Sequence, residues 1–310
     1  MMNKHYELFR RNFPFIVRSD DEAFKIINDS NNKFIDLTNE NDNLIASSII
    51  NKNVILMMCV DKEYRKKGIG TILLNKSEEY IASKGYDNVI IGVGDNYLMP
   101  GIPMATKPLE EELNDDFIYN GVSDDSYIFF RKRGYVHSWK DANCFDMRVD
   151  LDKVSFPGQS IGDIVDGVEY RFANVNDIDK IIECTDDAEQ AFSQYYKSKE
   201  LYKAESSQKV LIAVVNGEVC GTLIISIETE AEGLGSVGCT TVSHKYRGRH
   251  IGVNMVVLGT KYLKSLGLKN GYLGYTYSGL DKMYGYAGYK ICIYYCMAQN
   301  SLNIKRKRLV

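Results

Sequence analysis

The sequence predicts an α/β (α+β) protein that contains two tandem domains, each with a mixed, mostly antiparallel sheet flanked by helices. Three observations support this. The chain has 310 residues, 45% of them hydrophobic, which is enough for two domains of ordinary size. A basic, glycine-bearing turn occurs twice, as Arg65-Lys-Lys-Gly68-Ile-Gly70 and as Arg247-Gly-Arg-His250-Ile-Gly252. Each turn follows an apolar, strand-like stretch and precedes an amphipathic, helix-like one, which indicates a duplication.

The second copy gives the clearer series of elements. We predict strands over residues 169–172, 209–215, 219–227, 235–242 and 272–276, helices over 175–184, 251–266 and 279–286, and closing strands near 289–293 and 295–298. Asn216-Gly217 is typical of a hairpin turn. Residues 251–266 have apolar side chains at spacings of three and four, and Gly267 follows as a terminating glycine, which predicts an amphipathic helix.

The first copy repeats this series from its second strand onward. We predict strands over 33–37, 44–50, 54–60 and 89–93 and near Tyr135 and Phe145, and helices over 69–84 and 127–131. Helical stretches over 6–11 and 20–28 replace the first strand. The interval from Arg65 to Gly134 is 28 residues longer than the interval from Arg247 to Gly288. We therefore place an insertion at residues 94–124 and interpret it as a lid or substrate-side loop, with a solvated surface as the alternative for its acidic residues 110–116.

The two copies are separated by residues 151–166. This segment contains Pro157, Gly158 and Gly162 and lacks periodicity, which predicts a linker. We therefore expect an N-terminal domain over residues 1–150, with the insertion at 94–124, and a C-terminal domain over residues 167–310.

Composition limits the classes of partner. A net charge of −3 and a pI near 5.9 give no general attraction to nucleic acid or to an anionic membrane. No stretch approaches the roughly 18 apolar residues of a membrane span. Seven scattered cysteines without a Cys-x-x-Cys pair favour a reduced, cytoplasmic protein. The four histidines lack metal-ligand spacing, so we assign no metal. The sequence leaves a monomer and a homodimer equally open.

Each basic turn predicts an anion site at the start of a helix. Successive backbone N–H groups in such a turn point into one concavity, and glycines allow the backbone to approach a phosphate closely. The side chains of Arg65, Lys66, Lys67, Arg247 and Arg249 would add positive charge, with ordinary solvated bases as the alternative interpretation. Two such turns in one chain predict a phosphorylated cofactor.

A second phrase, aromatic-x-x-x-Gly-aromatic, follows downstream in each copy. It reads Phe130-Arg-Lys-Arg-Gly134-Tyr135 in the first and Tyr284-Gly-Tyr-Ala-Gly288-Tyr289 in the second. With the two Arg-x-x-Gly-x-Gly-like turns, these residues resemble the Gcn5-related N-acetyltransferase (GNAT) superfamily. The resemblance covers nearly the whole chain, in a tandem arrangement similar to that of mycothiol synthase and other bacterial double-domain acetyltransferases.

The resemblance implies an acyl-CoA-dependent N-acetyltransferase. Such an enzyme moves an acetyl group from acetyl-CoA to a primary amine of a small molecule or peptide, by direct transfer through a tetrahedral intermediate. It also implies that the cofactor is held at the ends of the fourth strands, in the turns that follow and just past the fifth strand of copy one. The residues concerned are Met58, Cys59, Val60, Arg65, Lys66, Lys67, Gly68, Ile69, Gly70, Thr71, Asn96, Thr240, Thr241, Val242, Arg247, Gly248, Arg249, His250, Ile251, Gly252 and Val253.

The resemblance assigns catalysis to Tyr284, and the two copies depart from the family pattern in opposite ways. Tyr284 is implied as the acid that protonates the leaving CoA thiolate, with a core tyrosine as the alternative. Copy one has Phe130 at the tyrosine position, whereas copy two has His250 at the position of the first glycine. We therefore expect copy two to perform the chemistry and copy one to bind acetyl-CoA structurally or for regulation, with the reverse left open.

The general base is not identified by the sequence. Neither fourth strand contains an internal Asp or Glu, which leaves water, a residue of the other domain or the C-terminal carboxylate of Val310. A catalytically silent acyl-CoA-binding sensor is the alternative function. The acceptor amine is also not identified.

Overall fold

The computed structural model describes residues 3–92, 97–105, 125–137, 144–227, 233–277 and 279–302. The chain folds into two compact units, one formed by Met1–Phe145 with Ile293–Val310 and the other by Asp146–Cys292. Within these described ranges, no helix has both the length and the apolar character that a membrane crossing requires.

Among the described residues from Asn3 onward, two helices precede the first strand, as expected. Its elements are α1 (Lys4–Asn12), α2 (Asp20–Ile27), β1 (Lys33–Thr38), β2 (Leu44–Asn51), β3 (Val54–Val60), α3 (Ile69–Ser83), β4 (Asn88–Ile91), β5 (Ile102–Met104), α4 (Asp125–Arg131) and β6 (Val136–His137). Asn3 and Ser19 cap the first two helices, since their side chains accept hydrogen bonds from the N–H groups of His5 and Glu22.

The following part of the chain repeats the series in the predicted order. Its elements are β7 (Cys144–Asp150), β8 (Ile164–Val165), β9 (Val168–Phe172), α5 (Ile178–Glu189), α6 (Ser193–Tyr196), β10 (Gln208–Val215), β11 (Glu218–Ile227), β12 (Leu234–Val242), α7 (Ile251–Ser265), β13 (Asn270–Tyr277), α8 (Asp281–Gly285), β14 (Lys290–Cys296) and β15 (Ala298–Ser301). The apolar face predicted for α7 is buried at Ile251, Met255 and Leu258. Asn216 and Gly217 form the predicted hairpin turn, both with left-handed φ.

Each unit has a sheet in which antiparallel pairing changes to parallel at one place. In the first unit the order is β1-β2-β3-β4-β15-β6, and in the second β7-β13-β12-β11-β10-β9-β8. The parallel pairs are β3 with β4 and β12 with β13. The sheets are therefore mixed and mostly antiparallel, which confirms the predicted fold class.

Each unit contains a strand that comes from the other copy of the sequence. The late strand β15 pairs with β4 and β6 in the first unit, where Ala298 is opposite Ile91 and His137. The strand β7, which precedes the linker, lies beside β13 in the second unit. The first sheet therefore contains a strand from the second copy and the second sheet a strand from the first copy, while the domain bounds expected at residues 1–150 and 167–310 stay a prediction.

The segment expected to be a linker, residues 151–166, is held against α7. The Lys264 ammonium donates to the carbonyl oxygens of Leu151 and Val154, at 2.7 Å each. The Lys261 ammonium donates to the carbonyls of Gly158 and Gln159, at 3.1 and 2.9 Å. The end of this segment forms β8, so it is an ordered part of the second unit.

The first part of the insertion expected at residues 94–124 is packed into the first unit. Leu98, Ile102 and Met104 are buried. Strand β5 pairs antiparallel with the Tyr294–Cys296 part of β14. Residues 93–96, including Asn96, and residues 106–124 lie outside the described residues, so the expected lid remains a prediction.

Candidate functional site

Each unit has an opening where its two parallel strands pair only at their beginnings. Strands β3 and β4 pair through Val54 with Ile90 and Ile55 with Ile91, after which β3 continues to Val60 paired only with β2 on its other side. Strands β12 and β13 pair through Leu234 with Asn270 and Gly235 with Gly271, and no further pairing between them is present in the described chain. Backbone groups facing each opening are left for an extended ligand to hydrogen-bond. The structure thus places the predicted residues Met58, Cys59, Val60, Thr240, Thr241 and Val242 at the two openings.

The two basic turns share one backbone conformation despite different residues. In the first turn Lys66 has φ +62° and Gly68 has φ +81°. In the second turn Gly248 has φ +80° and His250 has φ +58°. Left-handed residues thus occupy the same two positions, and such alternation turns successive N–H groups into an anion-binding concavity.

Both turns lead directly into helices whose N-termini have no side-chain cap. This is the case for α3 after Gly68 and for α7 after His250. The first N–H groups of a helix have no partner within it, so those of Ile69, Gly70, Ile251 and Gly252 point toward the concavity. Uncapped N–H groups and the positive end of the helix dipole fit a pyrophosphate.

The His250 side chain does not disturb the second turn. A Cβ atom built on Gly68, the equivalent residue, meets no atom within 4 Å. His250 itself is exposed. Histidine is among the residues that adopt the left-handed region more readily than most, so this departure from the family pattern keeps the shape of the turn.

The first arginine of each turn supports the turn through its side chain. Arg65 Nε donates to the carbonyl of Val60 at 2.8 Å, and its Nη2 donates to Asn12 Oδ1 at 2.8 Å. Arg247 Nε donates to the carbonyl of Val242 at 3.2 Å in the same way. Each arginine ties the turn to the end of the preceding strand, which leaves the backbone N–H groups as the main anion donors.

A helix contacts the segment just before each turn. The helical residue that makes the contact is basic in the first copy and acidic in the second. In the first, Asp61 accepts from Arg11 Nη2 at 2.6 Å and from Asn12 Nδ2 at 2.8 Å. Partial burial raises the pKa of Asp61, but the hydrogen bonds from Arg11 and Asn12 outweigh burial and keep that pKa below its usual value. In the second, Asp187 of α5 accepts from the backbone N–H of His244 at 2.8 Å.

Tyr284 is buried beside the second opening. It is 6% exposed, and burial raises the pKa of its hydroxyl, partly opposed by the nearby Thr240 hydroxyl. The phenol therefore keeps its proton at neutral pH, as a general acid must. Thr240 Oγ1 is buried without a hydrogen bond of normal geometry, which leaves it for a ligand in the opening.

Phe130 takes the equivalent place in the first unit and has no proton to give. Its ring packs edge-on against Phe129 and Tyr135, with centroids 5.1 and 5.2 Å apart. Phe130 is 5% exposed and belongs to the core. The two units therefore differ at the position of the proposed acid, as the sequence indicates.

Most of the tyrosines in the second copy are core residues. Tyr272, Tyr284, Tyr289, Tyr294 and Tyr295 are buried. Burial does not distinguish Tyr284 from the other four tyrosines. Its position beside Thr240 is visible only in the structure.

The second opening also contains strained backbone. Cys239 in β12 has φ +49° and Tyr275 in β13 has φ +57°. The pairing of β12 with β11 shifts register at the same point, between Thr222 and Ile224. The other described non-glycine residues with left-handed φ lie in connections between elements. Strain of this kind costs about 1–3 kcal/mol per residue and concentrates at functional sites.

Sequence reasoning missed two residues beside this opening. The Tyr196 hydroxyl donates to the carbonyl oxygen of Cys239 at 2.6 Å. Asp146 of β7 accepts from the N–H of Tyr275 at 2.8 Å and from the Tyr272 hydroxyl. The only sequence signal is one acidic residue inside the otherwise apolar start of β7. Among the described residues, no group of three His, Cys, Asp or Glu side chains is placed to hold a metal ion.

Solved structures share this two-unit architecture. A GCN5-related N-acetyltransferase from Sphaerobacter thermophilus is 16% identical, with 96% of this chain and 92% of that chain covered and a TM-score of 0.62. A tandem GNAT protein from the clavulanic acid biosynthesis pathway is 11% identical, with coverages of 96% and 94% and a TM-score of 0.64. At these identities the likeness is one of fold.

A third solved structure is much longer than this chain. It contains the GCN5-related glucosamine N-acetyltransferase region of a fungal multi-domain GH3 β-N-acetylglucosaminidase, at 17% identity and a TM-score of 0.66. The alignment covers 96% of this chain but only 36% of that one. A search of curated proteins gave no match.

The family comparison matches both copies of the sequence. The model of the acetyltransferase (GNAT) family matches residues 2–109 and again residues 176–283. The two matches contain the two basic turns and openings described above, and members of this family bind acetyl-CoA. The chain therefore belongs to the GNAT family of acetyltransferases, of which it carries two tandem domains.

Proposed function

We propose that this protein transfers the acetyl group of acetyl-CoA to a primary amine of a small molecule or peptide, and that the transfer takes place in the second unit. Family membership supports acyl-CoA-dependent N-acetylation in general. The observation that carries the choice of unit is the placement of the buried Tyr284 hydroxyl beside the opening between β12 and β13. The equivalent Phe130 has no hydroxyl.

The second unit would hold acetyl-CoA through its backbone. The N–H groups of residues 248–253 would bind the pyrophosphate, because the left-handed residues Gly248 and His250 turn them toward one concavity. The unpaired edge of β12 at Thr240, Thr241 and Val242 would hydrogen-bond the pantetheine arm as an added strand would. The buried Thr240 hydroxyl, which lies near that of Tyr284, adds a polar group within the opening.

The reaction needs one proton to be given and one to be taken. The amine nitrogen attacks the thioester carbon, the carbon–sulfur bond breaks, and the sulfur leaves as a thiolate. Tyr284 would donate its proton to that sulfur, and a β12 backbone N–H would face the oxygen on which negative charge develops. The amine's surplus proton leaves to water or to a base that we do not assign, because β12 has no carboxylate, and Tyr284 regains a proton from water.

The first unit would bind acetyl-CoA without turnover. Its turn has the same left-handed positions at Lys66 and Gly68, and its opening between β3 and β4 is built in the same way. Phe130 cannot protonate a leaving thiolate. A structural or regulatory role for bound acetyl-CoA is consistent with these features.

The test is thiol release from acetyl-CoA, measured with and without a panel of primary amines. Tyr284→Phe removes the acid and is expected to reduce the amine-dependent rate by about 10²- to 10⁴-fold. Tyr289→Phe is the matched control, since Tyr289 is a buried neighbour whose ring lies 6.1 Å from that of Tyr284. Calorimetric titration of Gly68→Glu and Gly252→Glu variants would count the acetyl-CoA sites.

Three results would refute the proposal or its choice of unit. Equal rates for Tyr284→Phe and Tyr289→Phe would remove the catalytic role of Tyr284. Tight acetyl-CoA binding without amine-dependent thiol release would favour the alternative, a catalytically silent acyl-CoA sensor. A single acetyl-CoA site lost only with Gly68→Glu would move the chemistry to the first unit.

A further inference from the structure

Both walls of the second opening are kinked, and each kink is held by a buried side chain from another element. On β12, the left-handed residue Cys239 has its carbonyl oxygen bonded to the Tyr196 hydroxyl of α6 at 2.6 Å. On β13, the left-handed residue Tyr275 has its N–H bonded to Asp146 Oδ1 of β7 at 2.8 Å. The two kinks are thus stabilised from outside the strands that carry them.

The hydroxyl of Tyr196 is fixed in its direction by a buried network. Tyr196 is 0% exposed, and its Oη accepts from Thr222 Oγ1 at 3.1 Å. Thr222 in turn lies 2.6 Å from Thr241 Oγ1 on β12. Burial raises the pKa of Tyr196 far above its usual value, so the hydroxyl keeps its proton and serves as a donor.

This hydrogen bond satisfies a group that the sheet leaves without its regular partner. The register shift between β11 and β12 places Cys239 and Thr240 opposite the single residue Leu223. A bulge of this kind leaves backbone groups unpaired, and an unpaired carbonyl in a buried position is costly. Tyr196 supplies the missing donor, so the bulge persists next to Thr240 and Tyr284.

Asp146 acts on the opposite wall in the same manner. It is 4% exposed, and its second oxygen accepts from the Tyr272 hydroxyl. Both carboxylate oxygens therefore already accept hydrogen bonds from β13. A carboxylate in this state is suited to fixing the path of β13 rather than to taking a proton from an amine.

We propose that Tyr196 and Asp146 are positioning residues that hold Cys239 and Tyr275 in their kinked conformations and so keep the β12 and β13 walls in place for catalysis. The inference rests on the proposed function of the second unit. Asp146 precedes residues 151–166 in the sequence, so the opening of the second unit is held by a residue from the first copy of the duplication. No equivalent non-glycine kink occurs within β3 or β4 of the first unit.

The test uses variants that remove each hydrogen bond, with matched controls in the same unit. Tyr196→Phe removes the donor to Cys239, and Tyr170→Phe removes the hydroxyl of another buried tyrosine, which bonds Asn254 instead. Asp146→Ala removes the acceptor for Tyr275, whereas Asp146→Asn keeps an oxygen for it. All are made in the full chain. The readouts are hydrogen exchange of residues 236–242 and 271–277, the kcat and KM for acetyl-CoA, and the unfolding midpoint.

We expect Tyr196→Phe to speed hydrogen exchange of residues 236–242 by about tenfold, because local opening governs exchange. Asp146→Ala should speed hydrogen exchange of residues 271–277 by a similar factor. In both, kcat should fall about ten- to a hundredfold with KM nearly unchanged, since displaced groups cost rate more than binding. Asp146→Asn should recover much of the loss. Tyr170→Phe should change neither exchange in these segments nor kcat.

The exchange measurement decides the inference independently of turnover. Exchange in Tyr196→Phe and Asp146→Ala equal to that in Tyr170→Phe would overturn it. A uniform rise in exchange with a matching fall in the unfolding midpoint would also overturn it, because the residues would then only stabilise the core. Failure of the wild-type chain to release thiol with any amine would refute the proposed function instead. Faster exchange confined to residues 236–242 and 271–277 would still support the positioning role of Tyr196 and Asp146.

Discussion

Asp36 anchors the first helix to the sheet of the first unit, and its removal gives a sharp test of the structure. Asp36 on β1 lies 3.0 Å from His5 Nε2, and it accepts from Ser47 Oγ at 2.8 Å. The ammonium of Lys4 lies 3.2 Å away. His5 and Lys4 both belong to α1, so one carboxylate holds the beginning of this helix.

The strength of this anchor can be calculated from the pKa of Asp36. Partial burial raises that pKa, but the hydrogen bonds from His5, Ser47 and Lys4 outweigh burial and lower it from 3.8 to about 2. A lowered carboxylate pKa stabilises the folded protein, here by about 2 kcal/mol. The stabilisation is fully present above the unfolded pKa near 4 and is lost as the pH falls through about 2.

We therefore expect Asp36→Asn to lower the free energy of unfolding by about 2 kcal/mol at pH 7 and by much less near pH 2. Urea unfolding at both pH values measures this difference. Asp87→Asn, at an exposed position of the same unit, is the control and should change little. An equal loss at pH 7 and near pH 2, or no loss at pH 7, would refute the reasoning.

Three further predictions concern the backbone. Gly101→Ala should lower the free energy of unfolding by about 1–3 kcal/mol, because its Cβ would lie 2.5 Å from the carbonyl oxygen of Cys296. Gly285→Ala is the control and should change it little, because its Cβ would meet open space. Urea unfolding compares the two variants. Gly68→Ala should cost about 1–2 kcal/mol through its φ of +81° alone, and a loss under about 0.3 kcal/mol would contradict this. Ending the chain before Ala298 should increase hydrogen exchange in β4, since β15 pairs with it, and unchanged exchange would show that the pairing is dispensable.

The local structure was predictable because short-range patterns specify it. A few neighbouring residues are enough to determine the conformation of α7, of the Asn216-Gly217 hairpin and of the basic turns. The same patterns gave the duplication and the family. They also separated Phe130 from Tyr284, which is the difference that supports the proposed division of labour.

The remaining features depend on contacts between residues distant in sequence. The bond from Tyr196 to Cys239 spans 43 residues, and the bond from Asp146 to Tyr275 spans 129. Nothing near Tyr196 distinguishes it from other tyrosines. The partners of β7 and β15 also had no local signal, because neither the alternating residues of β7 nor the polar sequence of β15 specifies a neighbouring strand.

The pairing of β4 with β15 makes the folding of the first unit depend on a strand that is synthesised much later. Strand β4 is synthesised more than 200 residues before its partner β15. Until then the first sheet has an open edge between β4 and β6, where an incomplete chain is prone to pair with another. Such long-range pairing slows folding, so a chaperone that shields nascent β-edges should act on this protein until β15 has been translated.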